Sequence, residues 1–171
     1  MYIVPEVKSY TACDKFVISG CKFVFPRDID ERVVKASRKV AEGNTEVTVT
    51  VNNEGGDGYT LELSAAKVNL VAKSQAAAFY GIQTLRQIIK NGYCDMSRID
   101  DEPDFETRGI YFDITRGRIP TVKTVKELID NLAYYKANML QLYVEHVFPF
   151  KEYDGMILPA SGGIAPKFTD S

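Results

Sequence analysis

Three charged residues frame a short apolar run in the middle of the chain. Arg108 precedes the run Ile110-Tyr-Phe112, and Asp113 and Arg116 follow it. The run is too short for a helix and is flanked by glycines, so it predicts a buried strand. A guanidinium offers a planar fork of donors. A carboxylate three residues before an arginine suits either a local ion pair or the wall of a binding pocket.

A second polar pair, Glu145 and His146, follows a second apolar run, Met139 to Val144. Between the two runs, residues 121–137 repeat apolar side chains at helical spacing. Strand, helix and strand in this order predict a βαβ unit, which builds parallel sheets and barrels. In (β/α)8 barrels, binding residues gather at the carboxyl ends of the strands. We therefore expect Tyr143, Glu145 and His146 to line a pocket, without assigning either of the last two as a catalyst.

Arg108 also has a purely structural interpretation. It could form a salt bridge with Asp104, Glu106 or Asp113. The residues alone leave both interpretations open.

The cysteines and the histidine do not predict a metal site. Cys13, Cys21 and Cys94 match no zinc-binding spacing, and His146 is the only histidine. We expect no metal and no cofactor. Three mostly buried, reduced thiols are favoured over a Cys13–Cys21 disulfide.

Composition narrows the class of protein. A length of 171 residues fits one or two domains, and 45% hydrophobic residues are ordinary for a globular chain. A net charge of −2 gives no electrostatic case for nucleic acid. No apolar run approaches the roughly 18 residues that span a bilayer. No signal peptide is visible at the N-terminus, so we expect a cytoplasmic protein, or a secreted one if a leader has been removed.

The first hundred residues alternate in the manner of strands and helices. Residues 46–52, 59–64 and 66–72 have strand periodicity, and the last two strands are joined tightly enough for a hairpin. Helices are predicted to begin at the caps Asp28 and Ser74. The pattern indicates an α+β layer, with an antiparallel sheet covered on one face by two helices.

Two glycine-containing motifs have structural explanations. Gly55-Gly-Asp-Gly58 precedes a strand and not a helix, so it predicts a hairpin loop instead of a phosphate-binding loop. Gly81 and the alanines before it would let the second helix lie close to the sheet.

Four short motifs follow the segments Phe79 to Ile89 and Ile99 to Pro103. They are Pro103-Asp-Phe105, Arg108-Gly109, Asp113-x-x-Arg116 and Lys136-x-Asn138. These motifs resemble the opening of the catalytic barrel in glycoside hydrolase family 20, the β-N-acetylhexosaminidases, and the two segments resemble the part of the family that precedes the barrel. The resemblance implies a non-catalytic accessory domain at residues 1–102. Residues 103–171 would then be the truncated first βαβ portion of a (β/α)8 domain.

The resemblance also implies a ligand, the terminal N-acetylhexosamine of a glycan. In this family the arginine of the Arg-Gly motif binds sugar hydroxyls, which points to Arg108. Asp113, Tyr143, Glu145 and His146 are the further expected substrate-binding residues. The chain departs from the histidine-rich second strand that many members carry.

The family's catalytic Asp-Glu pair, which orients the substrate's acetamido group and supplies the general acid, has no counterpart here. We therefore assign no catalytic residue.

The chain is expected to be the N-terminal fragment of a hexosaminidase-like enzyme. The alternative is a free-standing, non-catalytic module for carbohydrate binding or assembly. Family 84 hydrolases share the segment Tyr80-Gly-x-Gln-Thr-Leu85 but differ at the barrel opening. Open strand edges predict a homo-oligomer.

Overall fold

The computed structural model describes residues 2–116 and 119–144, and these form two compact units that divide between Glu106 and Thr107. The first unit contains β1 (Ser9–Phe16), β2 (Cys21–Val24), α1 (Glu31–Ser37), β3 (Thr45–Val51), β4 (Tyr59–Leu63), β5 (Lys67–Ala72), α2 (Gln75–Asn91) and β6 (Cys94–Asp101). The second contains β7 (Gly109–Asp113), α3 (Val122–Tyr134) and β8 (Met139–Tyr143).

The first unit has one six-stranded sheet in the order β1-β6-β4-β5-β3-β2. Three pairings are antiparallel, including the predicted β4–β5 hairpin. The predicted α+β layer with a mostly antiparallel sheet is confirmed, but β2 pairs with β3 and β3 with β5 in parallel, which the sequence did not predict. Helix α1 connects β2 to β3, so that β3 runs in the same direction as β2. The β4–β5 hairpin reverses the chain, so that β5 runs in the same direction as β3. Periodicity identifies a strand but does not give its direction.

Strand β6 was not anticipated from the sequence. Its buried side chains are Cys94, Met96 and Ile99, whose spacing changes from two residues to three. Its pairing with β1 is interrupted by register shifts, which is how bulged strands lose their regular alternation.

The helix caps show how local sequence sets the boundaries. Ser74 caps α2 by accepting from the backbone N–H of Ala77, as predicted, and Gly92 ends the helix in the left-handed conformation at φ 81°. Helix α1 begins two residues later than expected. Its cap is Asp30, whose carboxylate accepts from the N–H of Arg32 at 2.7 Å, and not Asp28.

Helix α2 packs on the sheet, and ten of its 17 residues are buried. It packs against α1 and strands β3 to β6. The largest fully buried side chains include Leu61, Leu70, Ile82, Leu85 and Ile99. A Cβ atom at Gly81 would lie 2.4 Å from Cδ1 of Leu70, so this glycine permits the close approach of helix and sheet, as the sequence indicated.

The cysteines lie far apart in this sheet. β1 and β2 are its opposite edges, about 24 Å apart at about 4.8 Å per strand, so Cys13 and Cys21 cannot form a disulfide. All three thiols are free. Cys21 and Cys94 are buried, whereas Cys13 is exposed.

The described residues of the second unit form a βαβ unit. β7 and β8 pair in parallel from Gly109 with Met139 to Asp113 with Tyr143. Thr121 caps α3 by accepting from the N–H of Thr124. In residues 2–116 and 119–144, no helix is long and apolar enough to cross a membrane.

Candidate functional site

Asp113 ends β7 and organises the turn that follows it. Its Oδ1 accepts from the backbone N–H groups of Thr115 at 2.8 Å and Arg116 at 3.1 Å, and its Oδ2 accepts from Nε of Arg116 at 2.7 Å. The hydrogen bond from Thr115, together with those from Arg116, lowers the pKa of Asp113 below its ordinary value. The carboxylate is therefore ionised at neutral pH.

The Arg116 guanidinium also contacts an aromatic pair. Its Cζ lies 5.0 Å from the ring centroid of Tyr143, which is within the range of a cation–π interaction. The rings of Tyr143 and Tyr111 are 5.6 Å apart and inclined at 41°. Parallel register places residues 109, 111 and 113 of β7 on the same face as residues 139, 141 and 143 of β8. Tyr111, Asp113 and Tyr143 therefore lie on one face of the sheet.

Backbone contacts fix this group to the end of β8. The carbonyl oxygen of Tyr143 accepts from the N–H of Ile114 at 3.2 Å and from Oγ1 of Thr115 at 3.2 Å. A carboxylate, a guanidinium and two phenol rings therefore meet at the carboxyl ends of two parallel strands. Such a set can bind a polar ring by hydrogen bonds to its hydroxyl groups and by contact with an aromatic face.

The structure does not place Arg108 in this group. Arg108 precedes β7, and a five-residue strand at about 3.3 Å per residue separates it from Asp113 by about 16 Å. Its Nε donates to the carbonyl oxygen of Lys136 at 3.1 Å, and its backbone N–H donates to Oδ1 of Asn138 at 2.8 Å. These contacts tie the end of the α3–β8 loop to the start of β7.

Two of the other four predicted site residues lie within the described part of the chain. Asp113 and Tyr143 lie together, whereas Glu145 and His146 fall outside the described residues. Sequence reasoning did not include Tyr111, although it lies two residues before Asp113 and alternation alone puts both on one face. Among the described residues, no group of three or more histidine, cysteine, aspartate or glutamate side chains could hold a metal ion.

Most of the first unit is similar to a known domain family. Residues 24–102 match the family model for glycosyl hydrolase family 20, domain 2. A β-hexosaminidase of Vibrio vulnificus is 29% identical over 101 residues, which cover 57% of this chain and 12% of that protein. A β-N-acetylhexosaminidase of Cellulomonas fimi is 33% identical over 95 residues, or 53% of this chain and 19% of that protein. The chain thus matches less than a quarter of the length of either relative.

Solved structures share the fold. The β-N-acetylhexosaminidase of Bacteroides fragilis NCTC 9343 superposes with a TM-score of 0.71 at 18% identity, over 89% of this chain and 35% of that one. The family 20 β-N-acetylhexosaminidase of Streptomyces coelicolor A3(2) gives a TM-score of 0.68 at 22% identity, over 84% of this chain and 34% of that one. Residues 24–102 therefore match domain 2 of glycosyl hydrolase family 20, and the solved structures show the same fold.

Proposed function

We propose that this chain is the N-terminal part of a β-N-acetylhexosaminidase-like glycoside hydrolase that acts on terminal N-acetylhexosamine residues of glycans. One observation carries the proposal. A family 20 domain 2 is followed in the same chain by a parallel βαβ unit whose first strand ends in a paired carboxylate and guanidinium. In this proposal the βαβ unit opens a (β/α)8 barrel, because active sites of such barrels lie at the carboxyl ends of the strands.

The sugar is then bound at the edge formed by Asp113, Arg116 and Tyr143. The ionised carboxylate of Asp113 accepts hydrogen bonds from hydroxyl groups, and the Arg116 guanidinium donates to hydroxyl oxygens. The Tyr143 ring lies against the guanidinium, with Cζ 5.0 Å from its centroid. Glu145 and His146 follow directly in the sequence, and we propose that they extend the same edge.

Arg116, and not Arg108, is the arginine that we propose for sugar contact. The family resemblance pointed to Arg108, but its side chain binds a backbone carbonyl at the amino end of β7. Arg116 lies at the carboxyl end, beside the other polar groups. The contacts of Arg108 with Lys136 and Asn138 support a structural role, through hydrogen bonds where the sequence suggested a salt bridge.

Binding at this edge does not itself supply the chemistry. Family 20 hydrolysis, as implied by the resemblance, needs an aspartate that orients the substrate's acetamido group and a glutamate that protonates the leaving oxygen. We propose that such a pair comes from a part of the barrel that these 171 residues do not include. The chain by itself should not hydrolyse aryl N-acetyl-β-glucosaminides.

The two arginines provide the test. In the full-length protein, Arg116→Ala should lower kcat/KM for an aryl N-acetyl-β-glucosaminide by about 30- to 1000-fold, which corresponds to about 2–4 kcal/mol. Arg116→Lys should not restore it, because an ammonium cannot reproduce the planar fork. Arg108→Lys is the matched control and should leave kcat/KM near normal. The opposite pattern, with Arg108→Lys impaired and Arg116→Lys normal, would return the sugar contact to Arg108.

The alternative function is a non-catalytic module for carbohydrate binding or assembly. It predicts that the full-length protein binds N-acetylglucosamine without any turnover. Measured hydrolysis by protein free of host hexosaminidase would eliminate it.

A further inference from the structure

We propose that Tyr143, supported by Tyr111, is a positioning residue that holds the Arg116 guanidinium in one orientation for contact with sugar hydroxyl groups. This inference rests on the proposed function, since it assigns the cause of ligand affinity at the same edge. The aromatic pair acts on the sugar indirectly, because it orients Arg116.

Burial does not hold Arg116 in place. Its side chain is 67% exposed. An arginine with this exposure samples many rotamers, and fixing it on ligand binding costs conformational entropy. Its contacts with Asp113 and Tyr143 restrict it before any ligand arrives. Asp113 fixes one edge of the guanidinium through Nε at 2.7 Å, and the Tyr143 ring lies against its face with Cζ 5.0 Å from the centroid.

The two contacts restrict different motions. A hydrogen bond in the guanidinium plane limits movement of that edge, whereas the ring limits tilting out of the plane. A planar fork can bind adjacent hydroxyl groups only when its plane is aligned with them. The ring therefore sets the orientation of the guanidinium plane, on which the recognition of adjacent hydroxyl groups depends.

Tyr143 is suited to this role because it is itself held by regular structure. It lies in β8, directly opposite Asp113 in the parallel register, and its carbonyl oxygen accepts from Ile114 and Thr115. The Tyr111 ring, on the neighbouring strand, packs beside the Tyr143 ring with the two centroids 5.6 Å apart. Arg116, in contrast, belongs to the turn after β7. Rigid strand residues thus orient a side chain on a turn.

The first experiment observes Arg116 without any ligand. In the 171-residue chain labelled with 15N, the Arg116 Nε–Hε signal is identified by its loss in Arg116→Lys. We expect an Hε shift displaced by the Tyr143 ring current, retained in Tyr143→Phe and lost in Tyr143→Leu. Tyr135→Leu removes another half-exposed tyrosine of the same unit and should leave the signal unchanged. An unchanged signal in Tyr143→Leu would overturn the positioning role.

The second experiment measures the binding of N-acetylglucosamine, used as the probe, to the full-length protein by calorimetry. Tyr143→Leu should weaken binding by about two- to fivefold, the range expected for loss of an exposed cation–π contact. Tyr143→Phe and Tyr135→Leu should bind as the unmodified chain does. If Arg116→Ala weakens binding but Tyr143→Leu does not, the proposed function stands and the positioning role is overturned. If Arg116→Ala binds normally, or the full-length protein binds no sugar, the proposed sugar contact fails and this inference fails with it.

Discussion

The Nε–H group of Arg108 donates a hydrogen bond to the carbonyl oxygen of Lys136 over 3.1 Å. The same arginine's carbonyl oxygen accepts from the backbone N–H of Asn138 at 2.7 Å. These bonds join two segments about 30 residues apart at the amino end of the β7–β8 pair. Arg108 therefore stabilises the βαβ unit at the end opposite to the candidate site.

Replacement of Arg108 tests this role. Arg108→Ala should lower the free energy of unfolding by about 1 kcal/mol, because a partly buried carbonyl loses a charged donor. Arg108→Lys should retain most of the free energy of unfolding, since an ammonium can still donate to one carbonyl. Urea unfolding of the three proteins measures the difference. Lys126→Ala, on the exposed side of α3, is the control and should change little.

Tyr59→Phe should destabilise the first unit. The buried Tyr59 hydroxyl lies 2.6 Å from Oγ1 of Thr84 and 2.6 Å from Oδ2 of Asp101. Loss of the hydroxyl removes a hydrogen bond to each partner, so we expect a cost of about 1–3 kcal/mol in denaturant unfolding. Tyr10→Phe, at an exposed position, is the control. Equal stability of the two variants would contradict the importance of this buried contact.

Cys21 should make the protein less stable in alkali. Burial raises the pKa of its thiol from 9.0 to about 12. Above pH 9 the unfolded chain loses this proton while the folded chain keeps it, so the free energy of unfolding falls as pH rises towards 12. The slope is at most about 1.4 kcal/mol per pH unit.

The difference between two cysteine variants isolates this contribution. Cys21→Ala should flatten the decline between pH 9 and pH 11, whereas Cys13→Ala, at an exposed position, should follow the unmodified protein. Burial also raises the pKa of Tyr59 well above its usual value, so part of the loss above pH 10 should persist in both variants. Identical pH profiles for the two variants would show that Cys21 does not titrate in this way.

Gly81→Ala should destabilise the packing of α2 on the sheet. The added methyl group would meet Cδ1 of Leu70 at 2.4 Å, so side chains or backbone must move. Overpacking of this kind costs about 1–3 kcal/mol. The gain in helix propensity from glycine to alanine is at most about 1 kcal/mol, so the net effect is a loss of stability. Thermal unfolding measures the effect. Ala76→Leu, at an exposed position of the same helix, should be nearly neutral.

The second unit should cause the 171-residue chain to associate. Tyr111, Ile129, Met139 and Leu142 are exposed apolar or aromatic side chains, and within residues 2–116 and 119–144 each strand of its sheet pairs on one side only. Such surfaces favour association at about tens of micromolar. Light scattering should show a dimer or larger species, reduced by Leu142→Lys. A monodisperse monomer at these concentrations would contradict the prediction.

The sequence alone determined the features that depend on near neighbours. Ser74 caps α2 as predicted, the β4–β5 hairpin forms, and Gly81 allows α2 to approach the sheet. Each depends on residues within a few positions of one another or on the periodicity of one element. The family resemblance, drawn from motifs between Phe79 and Asn138, also agrees with the match of residues 24–102 to domain 2 of family 20.

Only the tertiary structure decided which strands pair and in which direction. The parallel pairing of β3 with β5 depends on burial of residues about 20 positions apart, which no local pattern records. The candidate site depends on the same kind of information, because Tyr143 meets Arg116 only through the parallel register of β7 and β8. Alternation assigns side chains to faces of a strand, whereas contacts between strands follow from the burial and hydrogen bonding of the whole sheet.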